Sequence, residues 1–333
     1  MPSPISTTAQ RAIGRALPLW AVAVGIVVAA GWALPAFRNP VSINSLLVSL
    51  APIVLISVGQ GIAVMSGGID LSVGAVAGLA TVVLTLGAKV PGGTGTALVL
   101  ALIAGVLAGL VNGLGVVAGI NPLLMTFALA GVIQGGALLL QDLPGTAMPS
   151  DLVRALGATV GSVPVTALVA LVVLVAVWLW MSQTRAGRVL QSAGYDGRIA
   201  TRLGLPVARS TLVSYGLSGL LAAMGGLAIV TRTYSADALI GASSVIDSVA
   251  TVLVAGIVIT GGVGSLLSIL PAALVIAVMG QVITLTGTNA YYQTIFKGVL
   301  LVLAVSVYQL SGQRLRIPWR LRRPAVASGR SER

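Results

Sequence analysis

The chain contains no cysteine and no histidine. Those two absences remove thiolate and imidazole metal sites, bis-histidine haem, cysteine nucleophiles and every serine–histidine hydrolase arrangement. Redox and intramembrane hydrolytic chemistry fall away with them. Charge is also scarce: Asp, Glu, Lys and Arg make up 8% of 333 residues, about a third of the roughly 25% that solvates a soluble globule. Lysine occurs only at 89 and 297, followed by Val and Gly, so no Gly-x-x-x-x-Gly-Lys-Ser/Thr loop is present to cradle a nucleotide phosphate. What is abundant is apolar. Hydrophobic residues reach 57% and the mean hydropathy is +1.05, which describes an integral membrane protein solvated mostly by lipid.

A helix needs about 20 apolar residues to cross the hydrocarbon, and the sequence offers ten such stretches: 17–37, 42–65, 70–88, 96–119, 121–141, 163–183, 210–231, 244–262, 265–287 and 291–311. The expected fold is therefore all-α with about ten transmembrane helices. The third and fifth stretches are rich enough in Gly or Pro to be broken or re-entrant. The net charge of +12 reads as topology and not as nucleic-acid binding, because the basic residues cluster at the N-terminus, at 185–209 and beyond Arg314. A ten-span layout puts 14 of them on the side of both termini and four on the other, which places both termini in the cytoplasm. The expected organisation is an N-terminal tail at 1–16, a transmembrane domain at 17–311 with a cytoplasmic loop at 184–209, and a basic C-terminal tail at 312–333. The stretch from Leu17 to Phe37 exceeds the apolar core of a cleavable signal peptide, so it is expected to remain as a span.

The densest local signal is Gly59-Gln60-Gly61-Ile62-Ala63-Val64-Met65-Ser66-Gly67-Gly68-Ile69-Asp70-Leu71-Ser72-Val73-Gly74. A Gly pair closing one apolar run, with Asp and Ser opening the next, predicts a tight turn into a helix start. Asp70 then reads either as a helix cap or as part of a polar pathway, since a carboxylate at membrane depth is expensive and often functional. Gln60, Asn112, Asn121, Gln134 and Gln281 lie inside apolar stretches, where each bonds a neighbouring helix or faces a wet passage. Gln60, Asp70, Ser72, Asn112, Asn121 and Gln134 are the candidate passage residues. Glycines at 74 and 78, and at 105, 109 and 113, recur every four residues and predict close helix packing. A short echo links Gly61-Ile62-Ala63-Val64-Met65-Ser66-Gly67-Gly68 to Gly256-Ile257-Val258-Ile259-Thr260-Gly261-Gly262, a pattern found in transporters built from repeats.

The run Gly67-Gly68-Ile69-Asp70-Leu71-Ser72-Val73-Gly74 resembles the signature of ribose-type sugar permeases, the membrane subunits of bacterial ATP-binding-cassette importers. Gly109-Leu110-Val111-Asn112-Gly113 with Asn121-Pro122 and Thr126, and later Gly261-Gly262-Val263-Gly264-Ser265, are similar to further blocks of that family. The matches run in the family's order over residues 45–310. The loop Gly194–Pro206 is similar to the family's coupling segment, with Asp196, Arg198, Ile199, Ala200, Arg202, Leu203 and Gly204 as the residues that would meet an ATPase. Its chemistry agrees: Ile199 and Leu203 are four apart, as are Arg198 and Arg202, so a short helix sets an apolar ridge beside a basic one. That ridge suits docking into a groove on a soluble partner or lying on anionic headgroups.

Two positions depart from the family pattern. Asp196 stands for the usual Asn, and Val245 stands where Glu commonly begins a Glu-Leu-Asp run, so a Glu contact with a binding protein or substrate does not carry over. Asp247 is retained; with Asp237 it is the expected contact for the binding protein. The resemblance implies a non-enzymatic, multi-pass permease of the bacterial plasma membrane with no cofactor of its own, and ATP and Mg on a partner ATPase. It also implies an extracytoplasmic solute-binding protein, a second permease chain, and sugar or a similar small polar solute as cargo. The competing class, an ion- or proton-coupled secondary transporter using Asp70 or Asp247, needs more intramembrane ionisable groups than the spans supply.

Overall fold

In the computed structural model the described residues are 4–310, apart from 89–90, 142–144, 149–150, 152, 155–156 and 290. Twelve helices are defined among them: α1 (Pro4–Ala33), α2 (Pro40–Met65), α3 (Val73–Gly87), α4 (Gly93–Val117), α5 (Pro122–Leu140), α6 (Val165–Gln183), α7 (Arg185–Tyr195), α8 (Gly197–Arg202), α9 (Val207–Thr233), α10 (Ala242–Val254), α11 (Ile269–Leu285) and α12 (Tyr291–Leu310). Six are long and apolar enough to cross a membrane: α2, α4, α5, α6, α9, and α11 together with the 3-10 turn Leu266–Ser268 that leads into it. Four shorter apolar helical stretches join them, Leu17–Ala33, Val73–Gly87, Ala242–Val254 and Tyr291–Leu303.

Helix α9 is the axis of the bundle and packs chiefly against α4, α2 and α3. The close approach comes from glycine. A methyl group added at Gly109 would run into the Tyr215 carbonyl oxygen, and one at Gly219 into that of Gly105, so the α4 and α9 backbones touch. Gly74 and Gly78 on α3 do the same against the 238–241 segment. Large apolar side chains such as Trp32, Phe127, Val132 and Leu139 remain exposed on α1 and α5, as expected of surfaces facing lipid.

Two short ribbons mark one end of the bundle. Thr146–Ala147 (β1) pairs antiparallel with Ser235–Ala236 (β4), and Thr159–Val160 (β2) with Val163–Pro164 (β3). Asn44 Nδ2 donates to the Ser162 carbonyl at 3.0 Å, which brings the start of α2 to the same end. The opposite end carries α7, α8, the α2–α3 turn and the α10–α11 turn, where Gly262 N donates to the Met65 carbonyl at 3.0 Å.

Several sequence expectations shift. The third stretch is helical only from Val73, because Asp70–Ser72 form the turn before it. The fifth is one unbroken helix, since Asn121 caps it and Pro122 occupies its first position, where proline is tolerated. The eighth ends at Val254 and not 262: Gly256, Gly261 and Gly262 take left-handed φ values of 73°, 93° and 73°, which end helices. The expected N-terminal tail is helical from Pro4, while residues 312–333 and Lys89 lie outside the described residues.

Candidate functional site

The Asp70 carboxylate organises the turn between α2 and α3. It is 1% exposed. Its Oδ1 accepts from Ser72 N at 2.9 Å and Ser72 Oγ at 2.6 Å, and its Oδ2 accepts from Ser218 Oγ on α9 at 2.7 Å. Asn112 Nδ2 on α4 donates to Ser72 Oγ at 2.7 Å. Thr126 Oγ1 on α5 accepts from Leu71 N at 3.1 Å, and its hydroxyl lies between the Pro122 carbonyl at 2.9 Å and the Ile69 carbonyl at 3.2 Å as acceptors. Asp70 therefore bonds no amide inside α3; it ties the turn to α9 directly and to α4 through Ser72.

The sequence-derived passage residues separate into two groups. Asp70, Ser72, Asn112 and Gln60 are enclosed, and neither Gln60 amide atom has a hydrogen-bond partner among the described residues. Asn121 is exposed at the α4–α5 turn, where its Oδ1 accepts from Leu123 N at 2.9 Å. Gln134 is half-buried on α5.

A polar cavity of about 410 Å³ opens toward the ribbon end, between α2, α9, α10, α11 and α12. Hydroxyl and amide groups line it, among them Ser49, Ser243, Ser248, Gln281, Thr284 and Thr294. Asp247 of α10 and Lys297 of α12 form an ion pair of 2.5 Å on its wall. Asp237 sits half-buried between β4 and α10, its Oδ1 accepting from Leu239 N at 2.8 Å. From the sequence, Arg232 is only one of the four basic residues opposite the termini, Lys297 only a residue inside the last apolar stretch, and Gln293 has no role; all three line this cavity. The usable signal was the pairing itself: opposite charges in two spans almost free of charge.

At the other end, Asp196 caps α8, with Oδ1 accepting from Arg198 N and Ile199 N, each at 3.0 Å. Gly204, at φ 73°, closes the helix, and Leu205 N donates back to the Ala200 carbonyl at 3.0 Å. Ile199 is 54% and Leu203 72% exposed, with Arg198 and Arg202 exposed beside them; Ala200 instead packs inward. Just before the cap, Gly194 meets the α2–α3 turn and the α10–α11 turn backbone to backbone. A methyl on Gly194 would overlap the Met65 carbonyl oxygen and lie 2.9 Å from Gly262 N. The two echoing segments of the sequence thus converge on Gly194, two residues before the cap of α8.

Comparison with known proteins gives the family. A family model described as "Branched-chain amino acid transport system / permease component" matches residues 42–305. The chain is 31% identical to a probable ABC transporter permease, y4mJ of Sinorhizobium fredii, over 92% of this chain and 90% of that protein. It is 30% identical to the autoinducer 2 import system permease LsrD of Yersinia enterocolitica over 79% and 83% of the two chains. The corresponding protein of Yersinia pestis is 29% identical over 79% and 82%. No solved structure matches the chain. The chain belongs to this permease family and is a multi-pass, non-catalytic membrane subunit of a binding-protein-dependent bacterial ABC importer.

Proposed function

We propose that the chain crosses the membrane ten times with both termini in the cytoplasm, and imports a small polyhydroxylated solute handed over by an extracytoplasmic binding protein. The single observation that carries the reading is the contrast between the two ends. One presents a capped helix with an exposed Ile199–Leu203 ridge flanked by arginines, and the other a polar cavity of about 410 Å³. The six long and four shorter apolar helices support ten crossings, and the 14-to-4 distribution of basic residues supports the orientation.

In this reading a separate ATPase holds ATP and Mg and grips α8. Its closure moves α8, and two permease chains exchange an outward-open for an inward-open passage. Gln60, Asp70, Ser72 and Asn112 are enclosed in the present state, so they meet the solute only when the surrounding helices part. Asn121 and Gln134 lie on the open α5 side, where a second permease chain would complete the passage. Asp237 and the Asp247–Lys297 pair face the side on which a binding protein docks. Cavity hydroxyls and amides suit a hydroxyl-rich cargo, in keeping with relatives named for autoinducer 2 import.

The test is the double variant Ile199→Asp/Leu203→Asp. Two carboxylates in a groove built for aliphatic side chains cost on the order of several kcal/mol, so the variant inserts normally but neither co-purifies with its ATPase nor supports ATP-driven uptake. Persisting uptake would refute the docking assignment. Uptake by the unmodified importer of labelled branched-chain amino acids, and of no pentose, hexose or related polyol, would overturn the cargo assignment.

A further inference from the structure

A second cavity, of about 530 Å³, opens between α6, α7 and α9 beside the coupling helix. Arg185 at the start of α7 and Arg209 in the first turn of α9 both line it. Neither has a carboxylate partner among the described residues, where the one ion pair is Lys297–Asp247. Ser210 also lines it; this residue is 8% exposed and its enclosed Oγ has no hydrogen-bond partner among the described residues. A buried hydroxyl without a partner is costly unless something fills the site. The remaining walls are apolar, supplied chiefly by Trp180, Val189 and Val213.

Depth decides what fits. Val213 lies six residues beyond the first residue of α9, about 9 Å along the helix at 1.5 Å per residue. The cavity therefore runs from a basic rim down to the level of the hydrocarbon. A soluble ATPase docking on α8 cannot follow it there, whereas a phospholipid places its phosphate and acyl chain at those two depths. We propose that the cavity binds an anionic phospholipid, with Arg185 and Arg209 holding the phosphodiester oxygens, the Ser210 hydroxyl turning from its enclosed position to join them, and Trp180, Val189 and Val213 contacting the upper acyl chain. The bound lipid braces the joint between α7 and α9, the two helices that flank α8. The inference does not depend on the cargo or on which leaflet is cytoplasmic.

The experiment uses the full chain in lipid nanodiscs, with Trp20, Trp32, Trp178 and Trp319 replaced by Phe so that Trp180 reports alone. Brominated phosphatidylglycerol is expected to quench Trp180 at about tenfold lower mole fraction than brominated phosphatidylcholine, given the attraction of two arginines for an anionic headgroup. Arg185→Gln/Arg209→Gln should erase the difference, Ser210→Ala narrow it, and Arg185→Lys/Arg209→Lys retain most of it. The lysine pair and Ser210→Ala keep the test decisive if the glutamine pair fails to fold. Equal quenching by the two lipids overturns the proposal, as does a preference that survives the glutamine pair, which would assign it to general surface charge. Relief of quenching by inorganic phosphate would assign the site to a free anion. Relief by the added ATPase would assign it to the protein interface; either result also overturns the lipid.

Discussion

If the ATPase grips α8 as proposed, Gly194→Ala is the smallest perturbation that separates its docking from transmission of its movement. Gly194 lies two residues before the Asp196 cap of α8 and faces away from the exposed ridge, against Met65, Gly67, Gly261 and Gly262. An added methyl overlaps the Met65 carbonyl oxygen and approaches Gly262 N to 2.9 Å, inside the distance that real Cβ atoms adopt. The 3.0 Å bond from Gly262 N to that same carbonyl must lengthen or break as the segments part. Overpacking of this kind costs roughly 1–3 kcal/mol, enough to shift a transport equilibrium by about one to two orders of magnitude but too little to unfold a bundle of this size. Gly197→Ala is the control, because nothing lies within 4 Å of the methyl it would add.

The assay is the reconstituted importer in proteoliposomes, with ATP hydrolysis and solute uptake measured together, with and without loaded binding protein. Gly194→Ala is expected to assemble with the ATPase and hydrolyse ATP, with uptake at least tenfold lower and hydrolysis no longer responsive to loaded binding protein. Gly197→Ala should behave as the unmodified chain. Unaltered uptake by Gly194→Ala would refute transmission through this junction. Loss of ATPase binding would refute the separation of docking from transmission.

Three further outcomes follow from the same contacts. Asp70→Asn should lower thermal stability only slightly, because an amide oxygen still accepts from Ser72 and Ser218 can rotate its hydroxyl. Asp70→Leu leaves the buried donors of Ser72 and Ser218 unsatisfied, costing about 1–3 kcal/mol for each, and should lower the melting temperature far more than Asp70→Asn; equal melting temperatures for the two variants would contradict the network. Lys297→Met alone strands the Asp247 carboxylate on the cavity wall, a loss below the roughly 3–5 kcal/mol of a dry buried pair because the cavity admits water. Lys297→Met/Asp247→Asn should recover most of that stability in a thermal melt, and no recovery would show that the pair is not coupled. In the cysteine-free chain, Thr201→Cys on α8 should react with impermeant maleimide only in inside-out vesicles and Thr159→Cys on β2 only in intact cells; the reverse would invert the orientation.

The features legible in the sequence were those written as local pattern. Apolar length marks the helices, the four-residue glycine spacing marks the α3 and α4 contact faces, and Gly204 with Pro206 marks the end of α8, whereas the Asp196 cap at its start was not anticipated. What stayed illegible depends on contacts across the chain. Asp70 resembled a cap because an acid before a helix normally bonds that helix, and its second oxygen is claimed by Ser218, 148 residues away. The pairing of Asp247 with Lys297 requires α10 and α12 to be neighbours, which no periodicity encodes. The expected break in the fifth span failed for a different reason: Pro122 occupies the first helical position, where its missing N–H is not needed.

The internal echo is the case in which a weak sequence pattern acquires a physical meaning. Gly61–Gly68 and Gly256–Gly262 each end an apolar helical run in a turn with left-handed glycine, at Gly67 in the first and at Gly261 and Gly262 in the second. Each turn leads to a different part of the bundle: the first passes through the Asp70–Ser72 network into α3, and the second leads to α11, which lines the polar cavity that holds the Asp247–Lys297 pair. Because both turns press on Gly194 from opposite segments, a displacement of α8 cannot move one without the other while the Gly262–Met65 bond holds. A junction of three backbones without intervening side chains has little slack, since close-packed atoms transmit displacement instead of absorbing it. The small residues are therefore required at this point for stiffness as well as for space, and larger substitutions at Gly67, Gly261 or Gly262 should reproduce the Gly194→Ala phenotype in proportion to the separation they force.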